Sequence, residues 1–425
     1  MKSGVRMKGA LRYFILLMLL LYVVNAAAVQ RFPMPEFESA YQHPQTLLSP
    51  GRADFMVYVD IFMLLTALGV VSWLVIRKRS RKGIFIASLF SLIYFGFYRE
   101  GCVCSIGAIQ NVTLALFNGG YTIPIAALMF FLLPLFFTLF FGRTFCAGVC
   151  PFGAMQDLVA FKPQKMGTTL KTILGLFPFL YLGFAVLYAA TGTDFIICRY
   201  DPFVGFFRFN ASFGMFVFGG IMLLCGVFIA RPYCRFLCPY GVILGWVSRF
   251  SIKHISITPS KCIDCKLCED SCPYEAINIP SVKKNPVAPG VRRKQFITVL
   301  TIIPVLVVLL GFLGSRLNES FAIVNPAVVL SKDISDPVKM LPENETQAIK
   351  AFKSSGKSTE EVVAEAGLII EKFRTGGWIL GGFIGLVTGI LVVSSFIHRY
   401  RTIYEPDKGQ CLSCARCVDY CPVKS

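Results

Sequence analysis

The sequence predicts an all-α polytopic membrane bundle of about 7–8 spans with a small cytoplasmic domain assembled from two separated cysteine-rich segments. Three observations predict it. The 425-residue chain is 55% hydrophobic and only 16% charged, which is membrane composition. Its basic residues gather in the segments between apolar runs rather than on one soluble face. A C-x2-C-x2-C-x3-C-P run occurs twice, as Cys262-x2-Cys265-x2-Cys268-x3-Cys272-Pro273 and Cys411-x2-Cys414-x2-Cys417-x3-Cys421-Pro422, with two apolar runs between the copies.

That spacing holds cubane iron–sulfur clusters. Three thiolates of each run wrap one cluster, and the fourth reaches across to the other. Cluster one is expected on Cys262, Cys265, Cys268 and Cys421, and cluster two on Cys411, Cys414, Cys417 and Cys272. Zinc is the competing reading, but its sites use two CxxC pairs or Cys/His sets, not four Cys followed by Pro, twice. Crossed ligation makes the two runs one split, two-cluster ferredoxin-like domain. It also forces both runs onto the same side of the membrane.

Composition excludes several classes. A net charge of +18 is compatible with nucleic acid, but the charge follows the membrane pattern instead. Sixteen Cys at iron–sulfur spacings imply a reducing cytoplasm for most of them rather than a disulfide framework. Three His, His43, His254 and His398, supply no paired ligands for haem within spans.

In chain order, residues 1–28 combine a basic start, an apolar run and Ala26-x-Ala28, which reads as a signal peptide or a first membrane anchor. Residues 29–54 are Pro-rich and polar, a periplasmic segment. The membrane domain covers 55–254, with spans expected at 55–76, 84–98, 121–142, 172–191 and 213–230, and a re-entrant half-helix from Ile106 to Asn118. Ferredoxin half one occupies 255–295. A span at 296–314, a periplasmic helical loop at 315–376 and a span at 377–397 form a hairpin, and half two occupies 398–425. Of the 42 Lys and Arg, 29 fall in 1–12, 77–82, 143–171, 231–295 and 398–425, so the positive-inside rule sets these segments in the cytoplasm. The charge rule and the cluster spacing thus agree on the side of both halves. Gly381, Gly385 and Gly389 form a small-residue stripe suited to close helix packing. In the 315–376 loop, Ser358-Thr359-Glu360-Glu361 opens a helix through Phe373 with a capping-box pattern.

A second cysteine pattern repeats inside the membrane domain. The copies are Cys102-Val-Cys104-Ser-Ile-Gly107, Cys146-Ala-Gly-Val-Cys150-Pro-Phe-Gly153 and Cys234-Arg-Phe-Leu-Cys238-Pro-Tyr-Gly241. Pro after Cys favours the first turn of a new helix, which puts Cys150 and Cys238 at N-caps, where the helix dipole favours thiolate. Cys146, Cys150, Cys234 and Cys238 are therefore candidates for one metal or cluster site near the inner membrane surface, against inert buried thiols as the alternative. The first copy has C-x-C and Ser in place of Pro, and topology sets it outside. With Cys198 it offers Cys102, Cys104 and Cys198 as an outer site, a disulfide being an equal reading there. Cys225 stands mid-span and reads as packing.

These CxxxCP-Gly repeats, followed by eight ferredoxin cysteines, resemble the membrane-bound polyferredoxin family, which includes NapH-type quinol dehydrogenase components, the membrane part of NosR-type proteins and CcoG-type proteins. The resemblance covers roughly residues 84–295 and 405–425. It implies an electron-transfer protein of the bacterial cytoplasmic (inner) membrane. Its cofactors would be two 4Fe-4S clusters, with a third iron–sulfur cluster or other metal at the CxxxCP cysteines; no motif decides for a flavin or a quinone. Its partners would be the lipid bilayer, redox proteins in cytoplasm and periplasm, and in one reading a quinone. Two alternatives stand beside the electron conduit. One is an enzyme, a quinol dehydrogenase or copper reductase, for which Asp60, Glu100, Asp157 and His254 are the available proton acceptors. The other is a redox maturation or regulatory protein.

Overall fold

The computed structural model describes residues 55–101, 104–161, 163–209, 212–257, 262–280, 289–341, 346–396 and 403–423. The expected leader or anchor (1–28), the periplasmic segment (29–54) and Cys102 lie outside them.

Helix α1 (Phe55–Trp73) continues as a π-turn over Leu74–Lys78, and the two make one apolar 24-residue helix. It stops where the basic cluster begins: Arg79 is left-handed (φ 51°), and the Ser80 hydroxyl accepts the Gly83 N–H to start α2 (Arg81–Ser91). A π-segment, Leu92–Tyr98, extends α2 to a turn at Glu100 and Gly101. Then follow α3 (Ser105–Phe117), α4 (Ile125–Phe141), α5 (Thr144–Gly148), α6 (Pro151–Val159), α7 (Thr168–Leu174), α8 (Phe177–Ala190), α9 (Ile196–Tyr200), α10 (Pro202–Arg208), α11 (Phe213–Phe228), α12 (Pro232–Phe236) and α13 (Pro239–Ser248). Among the described residues each expected span contains a helix. Among the described residues, Phe55–Lys78, Thr169–Ala190 and Thr359–Ser394 are long and apolar enough to cross a membrane, and Ser105–Phe117, Ile125–Phe141, Phe213–Phe228 and Leu300–Arg316 are shorter apolar helices.

The first cysteine run leads into α14 (Leu267–Ser271) and strand β1 (Ile277–Asn278). The hairpin consists of α15 (Pro289–Arg316), α16 (Asn318–Ala322), α17 (Pro326–Ser335), α18 (Gln347–Ser355) and α19 (Thr359–Phe396). Strand β2 (Glu405–Pro406) pairs antiparallel with β1, Ile277 opposite Pro406 and Asn278 opposite Glu405, and α20 (Arg416–Asp419) follows. This pairing joins two segments separated by the whole hairpin.

The capping box forms as its residues dictate: Ser358 Oγ accepts the Glu361 N–H, and Glu361 Oε2 accepts the Ser358 N–H, both at 3.2 Å. The helix it opens does not end at Phe373, nor at the expected boundary between loop and span after residue 376. It runs 38 residues without a break. Gly376 and Gly377, at that boundary, are packing positions within the helix. A Cβ on Gly376 would strike Leu187, and one on Gly377 would strike the Gly314 carbonyl. The stripe continues down the helix, where Gly381 faces the Leu310 carbonyl and Gly385 the Leu306 carbonyl, so α15 and α19 touch backbone to backbone. Phe373, Ala366 and Leu380 of α19 bury against Leu187 and Tyr188 of α8 and against Ala322 and Val328, which anchors the helical cap to the bundle.

Gly385→Leu should drive a side chain into the Leu306 carbonyl, destabilise the hairpin by about 1–3 kcal/mol and lower the thermal midpoint of the detergent-solubilised protein. Leu386→Ala, on an exposed face of the same helix, should leave it unchanged.

Candidate metal centres

The two CxxxCP copies fold alike. In each, a five-residue helix carries the first Cys at its third position: Cys146 in α5 and Cys234 in α12. The second Cys is extended (Cys150 φ −73°, ψ 117°; Cys238 φ −64°, ψ 110°), and Pro opens the next helix at its first position. The N–H of each second Cys returns to the carbonyl of the residue before the first, Cys150 to Phe145 and Cys238 to Tyr233, both at 2.9 Å. Cys238 Sγ accepts the Gly241 N–H at 3.3 Å. The four sulfurs lie within electrostatic reach of one another.

Two arginines lock these copies together by exchange. Each copy carries Arg three residues before its first Cys, and each Arg reaches the glycine of the other copy. A Cβ on Gly153 would lie 3.0 Å from Arg231 Nη1, and one on Gly241 would lie 3.2 Å from Arg143 Nη2. Arg231 is fully buried. Its Nε and Nη2 donate to the two carboxylate oxygens of Asp157 at 2.8 Å, and its Nη1 donates to the Cys146 carbonyl. Arg81 supports the same carboxylate at 3.2 Å, and the Tyr274 hydroxyl donates to it at 3.4 Å. Burial alone would raise the Asp157 pKa, but Arg231 and then Arg81 pull it down to about 2. Its ionised form therefore contributes stability above the ordinary carboxylate range, and that stability is lost as pH falls through about 2. Arg143 donates to the Gly409 carbonyl (3.2 Å) and to Cys146 Sγ (3.8 Å). In the sequence Arg143, Arg231 and Arg235 read as topology markers. The shared R-x2-C-x3-C-P-x-G spacing is the sign that Arg143 and Arg231 are structural. Gln156, which donates to Cys234 Sγ at 3.3 Å and accepts the Tyr233 N–H at 3.0 Å, also escapes the sequence reading.

The ferredoxin runs also fold alike. Asp264 and Lys266 flank Cys265 with positive φ (56° and 60°), and Ser413 and Ala415 flank Cys414 with 54° and 60°. Each run thus makes two left-handed turns around its second Cys before a short helix, capped by Lys266 or Ala415. Two cavities result. One is lined by Cys262, Cys265, Cys268 and Cys421 with Ile257 and Tyr404. The other is lined by Cys272, Cys411, Cys414 and Cys417 with Ile255 and Tyr274. Each combines three cysteines of one run with the fourth of the other, the grouping that the spacing predicts. Burial pushes the Cys411 thiol up to about 12 and raises Cys417 and Cys268 too. A bound cation reverses that balance, because coordination deprotonates a thiol outright. The same holds at Cys150 and Cys238, where burial raises the thiols and outweighs the helix N-terminus invoked from sequence.

Zinc needs its thiolates about 2.3 Å from one point. Among the described residues no three His, Cys, Asp or Glu side chains converge closely enough to hold a single ion.

The sequence separates the outer cysteines from the four-cysteine group. The structure brings Cys104 and Cys150 to one cavity, with Leu64, Phe95, Phe130 and Phe152. Cys198 is exposed, and Cys225 stays within α11. Of the proton-acceptor candidates, Asp60 pairs with Arg99 at 2.7 Å and accepts from Tyr94 at 3.0 Å. Asp157 holds Arg231, and His254 Nδ1 lies 3.0 Å from the Ile255 carbonyl.

Asp157→Asn should leave Arg231 buried without its counter-charge and cost about 3–5 kcal/mol. The double variant Arg231→Met/Asp157→Leu should recover most of that loss in chemical denaturation.

Two families of 4Fe-4S binding domain match the chain, one over residues 123–168 and 211–258 and the other over 255–278. The first spans both CxxxCP copies and the second the first ferredoxin run. The chain is similar to the methylamine utilization ferredoxin-type protein MauN of Paracoccus denitrificans (31% identity, covering 36% of this chain and 56% of that protein). It is also similar to protein NirI of the same organism (28%, covering 54% and 36%) and to the regulatory protein NosR of Stutzerimonas stutzeri (23%, covering 47% and 30%). The chain spans less than two thirds of the length of each. No solved structure matches. The chain thus joins 4Fe-4S binding domains to helices apolar and long enough to cross a membrane, and it is similar to ferredoxin-type proteins.

Proposed function

We propose that this protein is a multi-pass electron carrier of the bacterial inner membrane, with about 7–8 spans and both ferredoxin halves in the cytoplasm. It moves electrons between the cytoplasmic or quinone side and a periplasmic redox partner. The observation that carries this reading is the composition of the two cavities, each three cysteines of one run plus the fourth of the other. Cys262, Cys265, Cys268 and Cys421 hold one 4Fe-4S cluster, and Cys411, Cys414, Cys417 and Cys272 hold the second. Cys146, Cys150, Cys234 and Cys238 hold a third. Bound clusters supply one-electron transfer without making or breaking substrate bonds.

The protein's own groups do the rest. Ile257 and Tyr404 wall one cavity, whose Cys262 and Cys265 are exposed, and Ile255 and Tyr274 wall the other, where Cys411 and Cys417 are buried. Arg143 ties the four-cysteine site to half two through Gly409, and Arg231 ties it through Asp157 to Tyr274 of half one. These ties hold the three sites in a fixed relation. Donors to sulfur, Gln156 at Cys234 and Gly241 at Cys238, stabilise thiolates and raise a centre's potential. The quinol dehydrogenase alternative has less support, because Asp60 and Asp157 already serve arginines.

The anaerobically purified protein should carry at least about twelve irons. The Cys146/Cys150/Cys234/Cys238→Ala variant should carry about four fewer and keep the EPR signals of the ferredoxin pair. About eight irons in both proteins would remove the third cluster, and fewer than about four in the parent would sink the ferredoxin reading.

A further inference from the structure

The four-cysteine site is built by two half-repeats, and the chain contains a second, degenerate pair. Cys198 is the third residue of a five-residue helix, α9, as Cys146 is of α5 and Cys234 of α12. Asp201 then stands where Cys150 and Cys238 stand. It is extended (φ −73°, ψ 114°), and Pro202 follows it to open α10. Its N–H returns to the carbonyl of Ile197, the residue before the Cys, as in both other copies. Asp201 Oδ1 accepts the Phe203 N–H at 2.9 Å. This segment is one residue shorter than C-x3-C and has Asp for its second Cys, so the sequence pattern hides it.

Its mate is the Cys104 copy. Cys104 is extended (φ −110°, ψ 116°) and caps α3, and Gly107 and Gln110 match Gly153 and Gln156 in spacing. The mates also meet as the first pair does. Gln156 accepts the N–H of Tyr233, just before Cys234; Gln110 Oε1 accepts the N–H of Ile197 (3.0 Å), just before Cys198, and of Cys198 itself (3.3 Å). A Cβ on Gly107 would lie 3.0 Å from Cys198 Sγ. Cys198 and Asp201 both lie within electrostatic reach of Cys104.

An independent observation points to a ligand. Gln110 is completely buried, its oxygen is fixed on two N–H donors, and its amide nitrogen, held beside Cys198 by that anchor, has no hydrogen-bond partner. The hydroxyl of Ser105, next to Cys104 and also buried, has none either. Unmet buried donors are costly. In the first pair the equivalent Gln156 nitrogen donates to Cys234 Sγ.

We propose that Cys104, Cys198 and Asp201 hold a further iron–sulfur centre, with Gln110 and Ser105 donating to its sulfur. It sits against the four-cysteine site, since Cys104 and Cys150 share a cavity, while Tyr233, the neighbour of Cys234, donates to Asp201 at 2.7 Å. Because Cys198 is exposed, this centre is the exit stop from which a partner takes electrons. The inference rests on the electron-carrier reading above.

The test compares iron and acid-labile sulfide per chain, EPR of the dithionite-reduced full-length protein, and alkylation of Cys198 by a membrane-impermeant maleimide. Cys104→Ser/Cys198→Ser should lose iron, sulfide and one EPR species, while the signals abolished by Cys262→Ser or Cys414→Ser remain. Parent Cys198 should be alkylated only after chelation. Gln110→Leu, which keeps all thiols, should keep its iron but shift that species' g-values and midpoint potential. It serves as the decisive variant if the double serine protein does not accumulate. Unchanged iron with a disulfide between Cys104 and Cys198 in the isolated protein overturns the proposal in favour of a dithiol pair. Unchanged iron with reduced, reactive thiols overturns it outright, as does a Gln110→Leu protein with unaltered spectra. Loss of the ferredoxin signals from the parent itself would instead indict the electron-carrier reading.

Discussion

A guanidinium removed from water must find acceptors and a counter-charge, and Arg231 is removed completely. It meets that demand with Asp157, on the helix that Pro151 opens, only because two distant CxxxCP turns lie face to face. Arg143 makes the reciprocal reach, and its other contact is a backbone carbonyl of the second ferredoxin half. Arg231 meets its counter-charge only where the two copies converge, and Arg143 reaches its carbonyl only where the second cysteine run packs against its copy. The packing of this end of the molecule is therefore fixed less by cysteines than by two buried arginines that bridge separate segments.

The hairpin between the ferredoxin halves sets the opposite requirement. A split domain gains nothing from proximity in sequence, so the helices that separate its halves must return the chain to its starting point. The glycine faces of α15 and α19 do this by letting backbones approach where side chains would hold them apart. The two-residue pairing of β1 with β2 is small, but it joins the two segments whose Cys272 and Cys421 each line a cavity with three cysteines of the other run.

Much of this is legible in the sequence. The eight ferredoxin cysteines, the grouping of their fourth members, the glycine stripe and the capping box at Ser358 follow from spacing, and spacing is what local chemistry dictates. What is not legible depends on tertiary contacts. The expected boundary between loop 315–376 and span 377–397 falls inside α19, where Gly376 and Gly377 are packing positions. Arg143 and Arg231 read as surface charge because the positive-inside rule explains basic residues without needing to bury them. The approach of Cys104 to Cys150 contradicts a simple inside-and-outside assignment, which counts spans but does not know how deeply a short helix such as α3 enters the bundle. Asp201 escapes notice because a pattern search keyed on cysteine ignores a carboxylate in the same backbone position.

The most direct test of the account is the crossing itself. Cys262→Ser, Cys272→Ser, Cys411→Ser and Cys421→Ser proteins would each be reduced and their EPR spectra resolved into the two ferredoxin signals. The account predicts that Cys272→Ser alters the same signal as Cys411→Ser, and Cys421→Ser the same signal as Cys262→Ser. If Cys272→Ser instead alters the signal changed by Cys262→Ser, each run would hold its own cluster, and the split, crossed domain would be contradicted.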